Sequence, residues 1–356
     1  MKSILVTGSQ GFIGSFLCAE LLERGHYVIG VDNYSKYGRV KRPHDDHENF
    51  ALLELDLAKE KLPTHYGVDY IIAGAAMIGG ISYFHKYAYD LLATNERIAA
   101  NTFDAAIEMH QKGRLKKIVV ISSSMVFEGA DHWKTFLDEK FEDMVSLSGN
   151  KLVADPWPTQ EETVKTFPPP FSTYGFQKLA MEYFAKGAHE QYGLPFTIVR
   201  PFNCVGLGED EALGEEEVMS GNIKLLMSHV LPDLVHKCLA GQDPLHILGE
   251  GNQVRCYTHG KDIAKGIVLA MESDNATNED FNISTSRETT VLELARLVWS
   301  KINPDKPFRY VSDAAFAYDV QKRVPDVTKA KKLLGFEAEV ALEDSVDEVI
   351  DWMRSK

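Results

Sequence analysis

The stretch TGSQGFIG at residues 7–14 decides the fold. It follows a β-branched apolar run at residues 3–7 and precedes an apolar-periodic segment at residues 16–22. A strand, a glycine turn and a helix in this order form the start of a dinucleotide-binding βαβ unit. The turn and the helix N-terminus offer close backbone approach and partial positive charge to a pyrophosphate. The predicted cofactor contacts here are Gly8, Gly11, Phe12, Ile13 and Gly14.

An acidic residue ends the second predicted strand and distinguishes this turn from an ordinary one. Residues 27–31 are apolar and lead into Asp32, at the spacing where a carboxylate accepts from the adenosine ribose hydroxyls. A carboxylate repels a 2′-phosphate, so the sequence favours NAD over NADP. The cations of the next loop keep NADP open as a minor alternative, although we interpret them as solvated: Arg39, Lys41 and Arg42.

Further cofactor contacts are predicted after the following strands. Asp56 and Leu57 end a third apolar run; Asp56 either holds the adenine edge or caps a helix. The strand predicted at residues 70–76 ends in small residues, as expected where the backbone runs beside a cofactor. The predicted contacts from these segments are Asn33, Asp56, Leu57, Ala75 and, near the start of a helix at residues 91–110, Asn95.

Strands alternate with helices along much of the chain. This order predicts an α/β protein with a doubly wound, Rossmann-type parallel sheet, whose ligands gather at the carboxyl ends of the strands. We expect a cofactor domain at residues 1–202 and 258–284, and a smaller, discontinuous α/β substrate-binding domain at residues 203–257 and 285–356. Further strands are predicted at residues 118–122, 196–200 and 280–283, and a helix at residues 260–270.

Composition limits the classes of function. The 356 residues carry a formal charge of −14, which argues against nucleic acid and means that a nucleotide ligand needs local positive groups. The first residues enter a strand without a leader pattern, and no apolar run reaches membrane-spanning length, so a cytoplasmic protein is expected. Four widely spaced cysteines fit reduced packing residues better than disulfides or a metal site: Cys18, Cys204, Cys238 and Cys256.

Two further patterns favour a structural interpretation. Apolar residues recur at helical spacing near the C-terminus and are expected to face the core: Leu342, Val346, Val349, Ile350 and Met353. The acidic run at residues 209–217 is expected to be a solvated loop.

A reactive set of residues follows the central strand. SSSMVF at residues 122–127 places three hydroxyls at the carboxyl end of a predicted strand. Downstream, Tyr174 and Lys178 are four apart at the start of an amphipathic helix and therefore share one face. A phenol is a poor base at neutral pH, but a nearby ammonium favours phenolate. Tyr174 could then take a proton from a sugar hydroxyl while a hydride leaves the same carbon.

At this point the chain resembles a known family, the extended short-chain dehydrogenases/reductases that act on nucleotide sugars, which are NAD-dependent epimerases and dehydratases. The motifs appear in family order across almost the whole chain: TGSQGFIG, VDN at 31–33, AGAA at 73–76, the serine strand, YGFQK at 174–178, RPFNCVG at 200–206, GNQVRCYTHGKDIAKGI at 251–267, FNIS at 281–284 and RVPDVTKAKKLLGF at 323–336.

The resemblance assigns roles to several residues. It implies that Ser123, Tyr174 and Lys178 are catalytic, with Tyr174 and Lys178 also contacting the cofactor. It implies substrate contacts for Ser124, for Asn203 near the phosphates, and for Arg255 and Arg323 as cations that neutralise the diphosphate: these are the residues of the predicted substrate site.

Met125 limits the chemistry that the resemblance allows. Among relatives, the 4,6-dehydratases carry Asp and Glu at the positions of Ser124 and Met125, decarboxylases typically carry Glu at Met125, and 3,5-epimerases carry a Cys there. A thioether has no useful proton affinity. The leading hypothesis is therefore an NDP-sugar 4-epimerase, UDP-sugars favoured, that oxidises one carbon transiently and returns the hydride to the other face.

Alternatives remain open from the sequence. They are a reductase, dehydrogenase or dehydratase of nucleotide sugars in the same superfamily, and a non-catalytic NAD-sensing protein. The resemblance implies a homodimer that pairs through the helices at residues 91–110 and 174–191. An unusually long segment at residues 131–170 is either a lid over the sugar or a surface insertion.

Overall fold

The computed structural model describes residues 1–78, 87–132, 156–209, 218–220, 223–225, 229–314 and 320–356. The centre of the predicted insertion, at residues 133–155, and most of the acidic run, at residues 210–217, lie outside these described residues.

The N-terminal half alternates strands and helices, as the sequence predicts. A 3₁₀ turn at Ser124–Phe127 follows the fifth strand. The elements, in chain order, are β1 (Ser3–Thr7), α1 (Phe12–Glu23), β2 (Tyr27–Asp32), β3 (Phe50–Glu54), β4 (Tyr70–Ala73), α2 (Ala88–Gln111), β5 (Lys117–Ile121), α3 (Glu128–Asp131), α4 (Thr163–Thr166), α5 (Thr173–Tyr192) and β6 (Phe196–Pro201).

The C-terminal half contains shorter strands between its helices. Its elements are β7 (Cys204–Val205), β8 (Val218–Ser220), β9 (Ile223–Leu225), α6 (Val230–Leu239), β10 (Leu245–Leu248), β11 (Val254–Arg255), β12 (Thr258–His259), α7 (Gly260–Glu272), β13 (Glu279–Ile283), β14 (Thr289–Thr290), α8 (Val291–Ile302), β15 (Tyr310–Asp313), α9 (Thr328–Leu334) and α10 (Leu342–Arg354).

A seven-stranded sheet organises the molecule. Its order is β13-β6-β5-β4-β1-β2-β3, and every pairing is parallel. The order reverses between β1 and β4, which is the switch point where doubly wound sheets bind their ligands. The α/β, Rossmann-type fold class is thereby confirmed. The small differences in strand ends, such as β4 ending at Ala73 rather than residue 76, follow from the ladder ending where the chain turns towards the glycine loop.

Both faces of the sheet are covered, because crossover helices pack on each side. One core joins α2 and α5 to the sheet, with Phe103, Met181 and Ile118 at its centre. The other joins α1 and α7 to the opposite face, with Leu17, Ile267 and Val119. The strands are therefore apolar throughout rather than alternating: all five residues of β5 are buried.

A third core lies among α6, α8, α10 and β10. Four of the five residues in the predicted C-terminal stripe are buried there, and Met353 packs against them, which confirms that this stripe faces the core. The division into two discontinuous domains stays a prediction that this separate core supports. Ala330 and Phe336, which the prediction assigns to the second domain, instead pack in the core formed by α1 and α7.

Three other expectations can be compared with the structure. The four cysteines are free, and all but the half-buried Cys204 are buried, as predicted for packing residues. The solvated interpretation is wrong for Arg42, which is only 4% exposed and donates to the backbone oxygens of Gln10 and Gly208. It is also wrong for Glu209, which is buried and pairs with His229.

Across the described residues, none of the helices combines the length and the apolarity that crossing a bilayer requires.

A fully buried ion pair ties α5 to the sheet. Arg200 at the end of β6 makes two hydrogen bonds of 2.8 Å to the Glu182 carboxylate. Neither side chain has exposed area. The same carboxylate accepts from the Ser122 hydroxyl at 2.7 Å, and Asp280 of β13 provides a second partner for Arg200 at 2.8 Å. This network joins the ends of β5, β6 and β13 to one face of α5.

We predict that Glu182→Gln lowers the free energy of unfolding by about 3 kcal/mol or more, because the substitution leaves the Arg200 charge buried and only partly compensated. Urea unfolding followed by circular dichroism measures the loss. The matched control is Glu343→Gln, which breaks an exposed pair with Arg287 and should cost less than about 1 kcal/mol. Equal losses in the two variants would contradict the structural importance given to the buried pair.

Candidate active site

The glycine turn brings the end of β1 against the start of α1. Gly8 has a φ of 77°, a left-handed conformation that favours glycine. A Cβ at Gly14 would lie 2.0 Å from the Gly8 carbonyl oxygen, so a side chain there would force the turn open. Gly11 is the N-cap residue of α1, whose N-terminus points its partial positive charge at this turn. The arrangement fits a pyrophosphate without needing a basic side chain.

Asp32, the last residue of β2, hydrogen-bonds the backbone of the glycine turn. Its Oδ2 accepts from the Gln10 backbone at 2.9 Å, and its Oδ1 accepts from the Tyr34 backbone at 2.8 Å. Burial raises the pKa of Asp32, while these hydrogen bonds and the charge of Arg42 oppose the rise. Each carboxylate oxygen keeps a further lone pair, so the side chain can still accept from ribose hydroxyls.

The cations beyond β2 differ in their surroundings. Arg39 is exposed, stacks on the Tyr34 ring and pairs with Glu54 at 2.6 Å. Lys41 is exposed and pairs with Asp46. Both are solvated, as predicted, and both have carboxylate partners. This arrangement agrees with the preference for NAD, since a 2′-phosphate would have to compete with those carboxylates.

The residues predicted to hold the adenine are near β2 and β3. Asp56 caps a turn, since its Oδ1 accepts from the Ala58 backbone at 3.0 Å and its Oδ2 pairs with Lys59 at 2.8 Å. The capping interpretation therefore fits, with a turn in place of a helix. Asn33 also hydrogen-bonds Asp56, which helps to lower the pKa of that carboxyl although burial opposes the effect. The Leu57 side chain is in the core, which leaves only its backbone for a ligand.

The end of β4 is fixed by side chains from two other elements. The Thr7 hydroxyl accepts from the backbones of Gly74 and Ala75, both at 3.1 Å. Asn95, on α2, accepts from the Met77 backbone at 2.6 Å and donates to its carbonyl at 2.9 Å. The Asn95 side-chain amide is thus hydrogen-bonded to the backbone of Met77, in the segment that borders the cofactor side. In this structure it positions that chain.

The three serines after β5 separate into different environments. Ser122 is buried and donates to Glu182. Ser123 is half-buried; its hydroxyl accepts from the Met125 backbone at 3.1 Å and also hydrogen-bonds the Tyr174 phenol. Ser124 is buried and begins the 3₁₀ turn. Only Ser123 is therefore paired with the predicted catalytic phenol, which agrees with its assigned role.

Tyr174 and Lys178 lie on the inner face of α5, as their spacing predicts. Lys178 Nζ donates to the Ile121 carbonyl at 3.0 Å and lies 5.9 Å from the centre of the Tyr174 ring. Burial lowers the pKa of Lys178 to about 8. Burial also raises the pKa of Tyr174, and the Ser123 hydrogen bond and the charge of Arg323 oppose it only in part. The expected shift towards phenolate is therefore absent in the protein without cofactor, because desolvation dominates.

The start of α5 is fixed by a residue that the sequence did not indicate. The Glu128 carboxylate accepts from the backbone and the hydroxyl of Ser172, both at 2.8 Å. Ser172 in turn caps α5 by accepting from the Gly175 backbone at 3.0 Å. Tyr174 is the second residue of that helix, so Glu128 sets the position of the phenol. No motif signals this, since Glu128 acts through folded contacts alone.

Asn203 has a geometry that indicates a ligand. It follows β6 with a φ of 29°, which is unusual for a residue other than glycine. Its Oδ1 is buried and accepts no hydrogen bond from any residue that the structure describes. A buried polar atom without a partner is costly. A bound group that donates to Asn203 Oδ1 would remove this cost. A diphosphate only accepts hydrogen bonds, so the predicted phosphate contact would fall to the Asn203 Nδ2 instead.

The two predicted substrate arginines come from neighbouring segments. The Arg323 backbone donates to the Val254 carbonyl at 3.1 Å, which places its chain beside β11 and Arg255. The Arg255 side chain is half-buried and donates to the Val254 carbonyl at 2.9 Å. The Arg323 guanidinium is buried: its Nε donates to Asp131 at 2.7 Å, and its Nη1 lies 2.8 Å from the Met125 sulfur. Asp131 was not indicated by the sequence.

The described end of the predicted insertion packs inside the molecule. Thr159 pairs with the chain at Val324 and Asp326, and the Asn282 backbone at β13 donates to the Glu161 carboxylate at 2.9 Å. Trp157 approaches Asp131 with its ring nitrogen at 3.4 Å. Residues 156–161 therefore bridge the sheet and the loop that carries Arg323 through the buried Thr159 and Glu161. The choice between a lid and a surface insertion stays a prediction for residues 131–170.

Together these residues can move one proton and bind an anion. Ser123 and Tyr174 share a hydrogen bond, Lys178 lies on the same helix face, and Met125 beside them offers a thioether that neither gives nor takes a proton. Acid–base work at this strand end therefore falls to the Ser123 and Tyr174 hydroxyls.

Comparison with known families gives one match over most of the chain. The model of the NAD-dependent epimerase/dehydratase family matches residues 4–284. A UDP-N-acetyl-α-D-glucosaminuronate decarboxylase from Bacillus cytotoxicus is 28% identical, with 99% of this chain and 98% of that protein covered. A putative UDP-glucose 4-epimerase from Methanocaldococcus jannaschii is also 28% identical, with the same coverage of 99% and 98%.

A solved structure agrees with the fold over the same length. The UDP-glucose 4-epimerase of Thermotoga maritima, solved with UDP-glucose, has a TM-score of 0.76 and 28% identity to this chain. The superposition covers 99% of each chain.

The buried ammonium of Lys178 predicts a pH effect on stability. The pKa is about 8 in the folded protein and 10.5 ordinarily, so between these values only the unfolded chain holds the proton and stability rises with pH. The free energy of unfolding of the cofactor-free protein, relative to Lys178→Met, should increase by about 1–3 kcal/mol from pH 7 to pH 10. Exposed Lys261→Met is the control and should show no such change; a flat difference for Lys178→Met would refute the effect.

Proposed function

The chain belongs to the NAD-dependent epimerase/dehydratase family, and from this membership and the site geometry we propose that it is a nucleotide-sugar 4-epimerase acting on UDP-sugars. Both the putative epimerase from Methanocaldococcus jannaschii and the epimerase structure from Thermotoga maritima support the reaction type and the uridine nucleotide. The family uses NAD, and the glycine turn with Asp32 fits that cofactor.

One observation carries the proposal. The hydroxyl of Ser123 is hydrogen-bonded to the buried Tyr174 phenol. Met125 occupies the position where family members that eliminate or decarboxylate carry an acid or base. A single hydroxyl pair suits removal of one proton from one sugar hydroxyl. With the hydride acceptor that bound NAD would supply, return of the hydride to the opposite face of that carbon and of the proton to its oxygen, after the sugar ring has turned, would invert the carbon without other chemistry.

The residues divide the work as follows. We assign Tyr174 as the base that takes the proton from the sugar 4-hydroxyl and Ser123 as the group that holds the same oxygen. Lys178 supplies positive charge beside the phenol and contacts the cofactor ribose. The chemistry that NAD would supply when bound is reversible hydride transfer at C4. Burial raises the pKa of Tyr174, and the Ser123 hydrogen bond and the charge of Arg323 oppose the rise; the positive charge of an oxidised nicotinamide, when bound, would favour the phenolate further.

Contacts to the cofactor and the substrate are proposed on the same basis. Backbone groups from Gly8 to Gly14 hold the pyrophosphate, Asp32 holds the ribose, and the chain at Asn33, Leu57 and Ala75 borders the adenosine and nicotinamide ends. Asp56 and Asn95 keep these segments in place. Asn203 and Arg255 contact the diphosphate of the sugar nucleotide, and Ser124 lies nearer the sugar. Arg323, which the resemblance gives as a second diphosphate cation, is proposed to lie nearer the sugar instead, because its guanidinium contacts the Met125 sulfur, two residues after Ser123.

A decarboxylase is the second candidate, because the relative from Bacillus cytotoxicus matches over almost the whole chain. Identity of 28% to both kinds of relative does not choose between them. The thioether of Met125 favours the epimerase, since family members that decarboxylate typically carry a glutamate at this position. We also keep net reduction or dehydration as outcomes that the experiment below distinguishes.

We further propose that the protein forms a homodimer through α2 and α5. The two helices pack side by side and form an apolar groove. Phe176, Tyr183 and Tyr192 on α5 are 47%, 65% and 40% exposed. Large exposed apolar patches mark association sites in soluble proteins. A twofold axis across the groove would bring the same helices of two copies together.

The cysteines agree with residence in the cytoplasm, which we propose for this protein. All four are free. Thiols persist in this state in reducing compartments.

The proposed reaction is tested by incubating the purified protein with UDP-glucose or UDP-galactose and following C4 inversion by NMR, together with the absorbance of reduced nicotinamide. Inversion without sustained cofactor reduction is expected. Loss of carbon dioxide or water from the sugar, or stoichiometric consumption of added cofactor, would reject the epimerase.

Tyr174→Phe should keep bound NAD and lower the inversion rate by about 10²- to 10⁴-fold, because the hydroxyl that takes the proton is removed. NAD released on denaturation is quantified beside the rate. Exposed Tyr310→Phe is the matched control and should retain the wild-type rate. A Tyr174→Phe variant that turns over normally would overturn the catalytic assignment.

Tyr183→Glu should convert the dimer to a monomer, because it places a charge in the apolar groove. Light scattering after size-exclusion chromatography measures the mass. Tyr310→Glu changes an exposed tyrosine on β15 and should leave the mass unchanged. A wild-type protein that is monomeric at micromolar concentration would contradict the proposed dimer.

A further inference from the structure

We propose that Asp131 determines substrate specificity: by neutralising Arg323 beside the reacting end of the sugar, it selects nucleotide sugars with an uncharged C5 substituent and disfavours uronates. This inference rests on the proposed function, and it names the class of sugar that the same site accepts.

The pair is short and buried. Asp131 Oδ2 lies 2.7 Å from Arg323 Nε and 2.5 Å from its Nη2. The Asp131 side chain has no exposed area and that of Arg323 is 6% exposed. Charges held this closely in a desolvated place interact far more strongly than on a surface. The positive charge of Arg323 is therefore largely neutralised by Asp131 within the protein.

The guanidinium faces the reacting end of the site. Its Nη1 touches the sulfur of Met125, which is two residues after Ser123. Its charge is also close enough to Tyr174 to lower the pKa of that phenol against the larger effect of burial. If Ser123 and Tyr174 hold the oxygen on C4, the substituents on C3 and C5 lie on either side of it, and we place the C5 substituent on the side of Arg323. A carboxylate there would be near Arg323.

The local charges disfavour a uronate. Burial raises the pKa of Asp131, and the charges of Arg323 and Arg255 oppose that rise. With Asp131 ionised, these three side chains sum to one positive charge. The diphosphate of any nucleotide sugar already brings a negative charge on each phosphate. A uronate would add another and would meet Asp131 at close range. A hydroxymethyl or methyl group at C5 carries no charge and avoids that repulsion.

The position of Asp131 is enforced from several sides. Asp131 ends α3, whose first residue, Glu128, is bonded to Ser172 at the start of α5. Trp157 approaches the other carboxylate oxygen at 3.4 Å. These contacts hold the carboxylate beside Arg323, so a substrate anion would have to compete with Asp131 for the guanidinium.

The test compares binding of UDP-glucose and UDP-glucuronate, by calorimetry, to protein that carries Tyr174→Phe so that neither ligand turns over. We expect glucuronate to bind at least about tenfold more weakly. Adding Asp131→Asn should shift the ratio of the two affinities towards glucuronate by about tenfold or more, because Arg323 then has a charge to offer.

Two controls separate charge from damage to the fold. Asp131→Glu keeps the anion and should keep the preference for glucose. Asp131→Asn combined with Arg323→Met removes both charges, is tolerated by analogy with other buried pairs, and should also keep it. Near-ultraviolet circular dichroism and NAD content confirm that each variant is folded.

The outcomes are distinct. Equal or tighter binding of glucuronate by the protein with native Asp131 overturns the inference even if Asp131→Asn does not fold, and an unchanged ratio in folded Asp131→Asn overturns it as well. Failure of the proposed function appears elsewhere, as absence of C4 inversion of either sugar by the wild type, while the affinity ratios can still be read.

Discussion

The structure depends on a buried charge network at the ends of three parallel strands. Glu182 on α5 meets Arg200 on β6, receives the Ser122 hydroxyl from β5, and shares Arg200 with Asp280 on β13. These contacts lie one turn beyond Lys178 and next to Ser123, so the residues that hold the helix to the sheet also set the distance between the serine and the phenol. A charged pair costs desolvation energy that apolar residues would not. Its directional hydrogen bonds fix one orientation of α5, which a reaction at a single oxygen requires.

The protein has a net negative charge, and so do its cofactor and its proposed substrate. Local groups offset the resulting repulsion at each binding site. The pyrophosphate side relies on backbone N–H groups at the glycine turn, where a Cβ at Gly14 would close the space. The proposed substrate side relies on two arginines on paired chain segments: the Arg323 backbone donates to the carbonyl of Val254, the residue before Arg255. Neither device alters the net charge of −14. The net negative charge argued against a nucleic-acid surface and left a nucleotide pocket possible.

Sequence patterns predicted the local features and missed the distant contacts. The glycine turn, Asp32 and the Tyr174–Lys178 face follow from chain-local spacing, and the structure brings Ser123 to Tyr174 as the family resemblance implies. The sequence predicted a solvated Arg42, because no local sequence pattern signals the burial of a charge. In the structure Arg42 is buried, and its guanidinium donates to the backbone carbonyls of Gln10 and Gly208. The helical spacing that identified Lys178 could also have identified Glu182, which is four residues further along the same face of α5. Asp131 was not, since its partner is 192 positions away.

The same fold carries relatives that epimerise and relatives that decarboxylate, so its outcome depends on a few side chains rather than on architecture. Loss of carbon dioxide needs a carboxylate on the sugar and a group to manage the proton that replaces it. Met125 occupies the position where decarboxylases of the family typically carry that proton-managing group, and a thioether cannot act as one. The neutral Asp131–Arg323 pair is proposed to disfavour binding of the sugar carboxylate. The two residues lie on opposite sides of one guanidinium, because Arg323 touches the sulfur with Nη1 and the carboxylate with Nε. A chain that had only lost its proton donor could still bind a uronate unproductively. Neutralising the cation as well would disfavour such ligands, so the proposed roles of Met125 and Asp131 are consistent with each other.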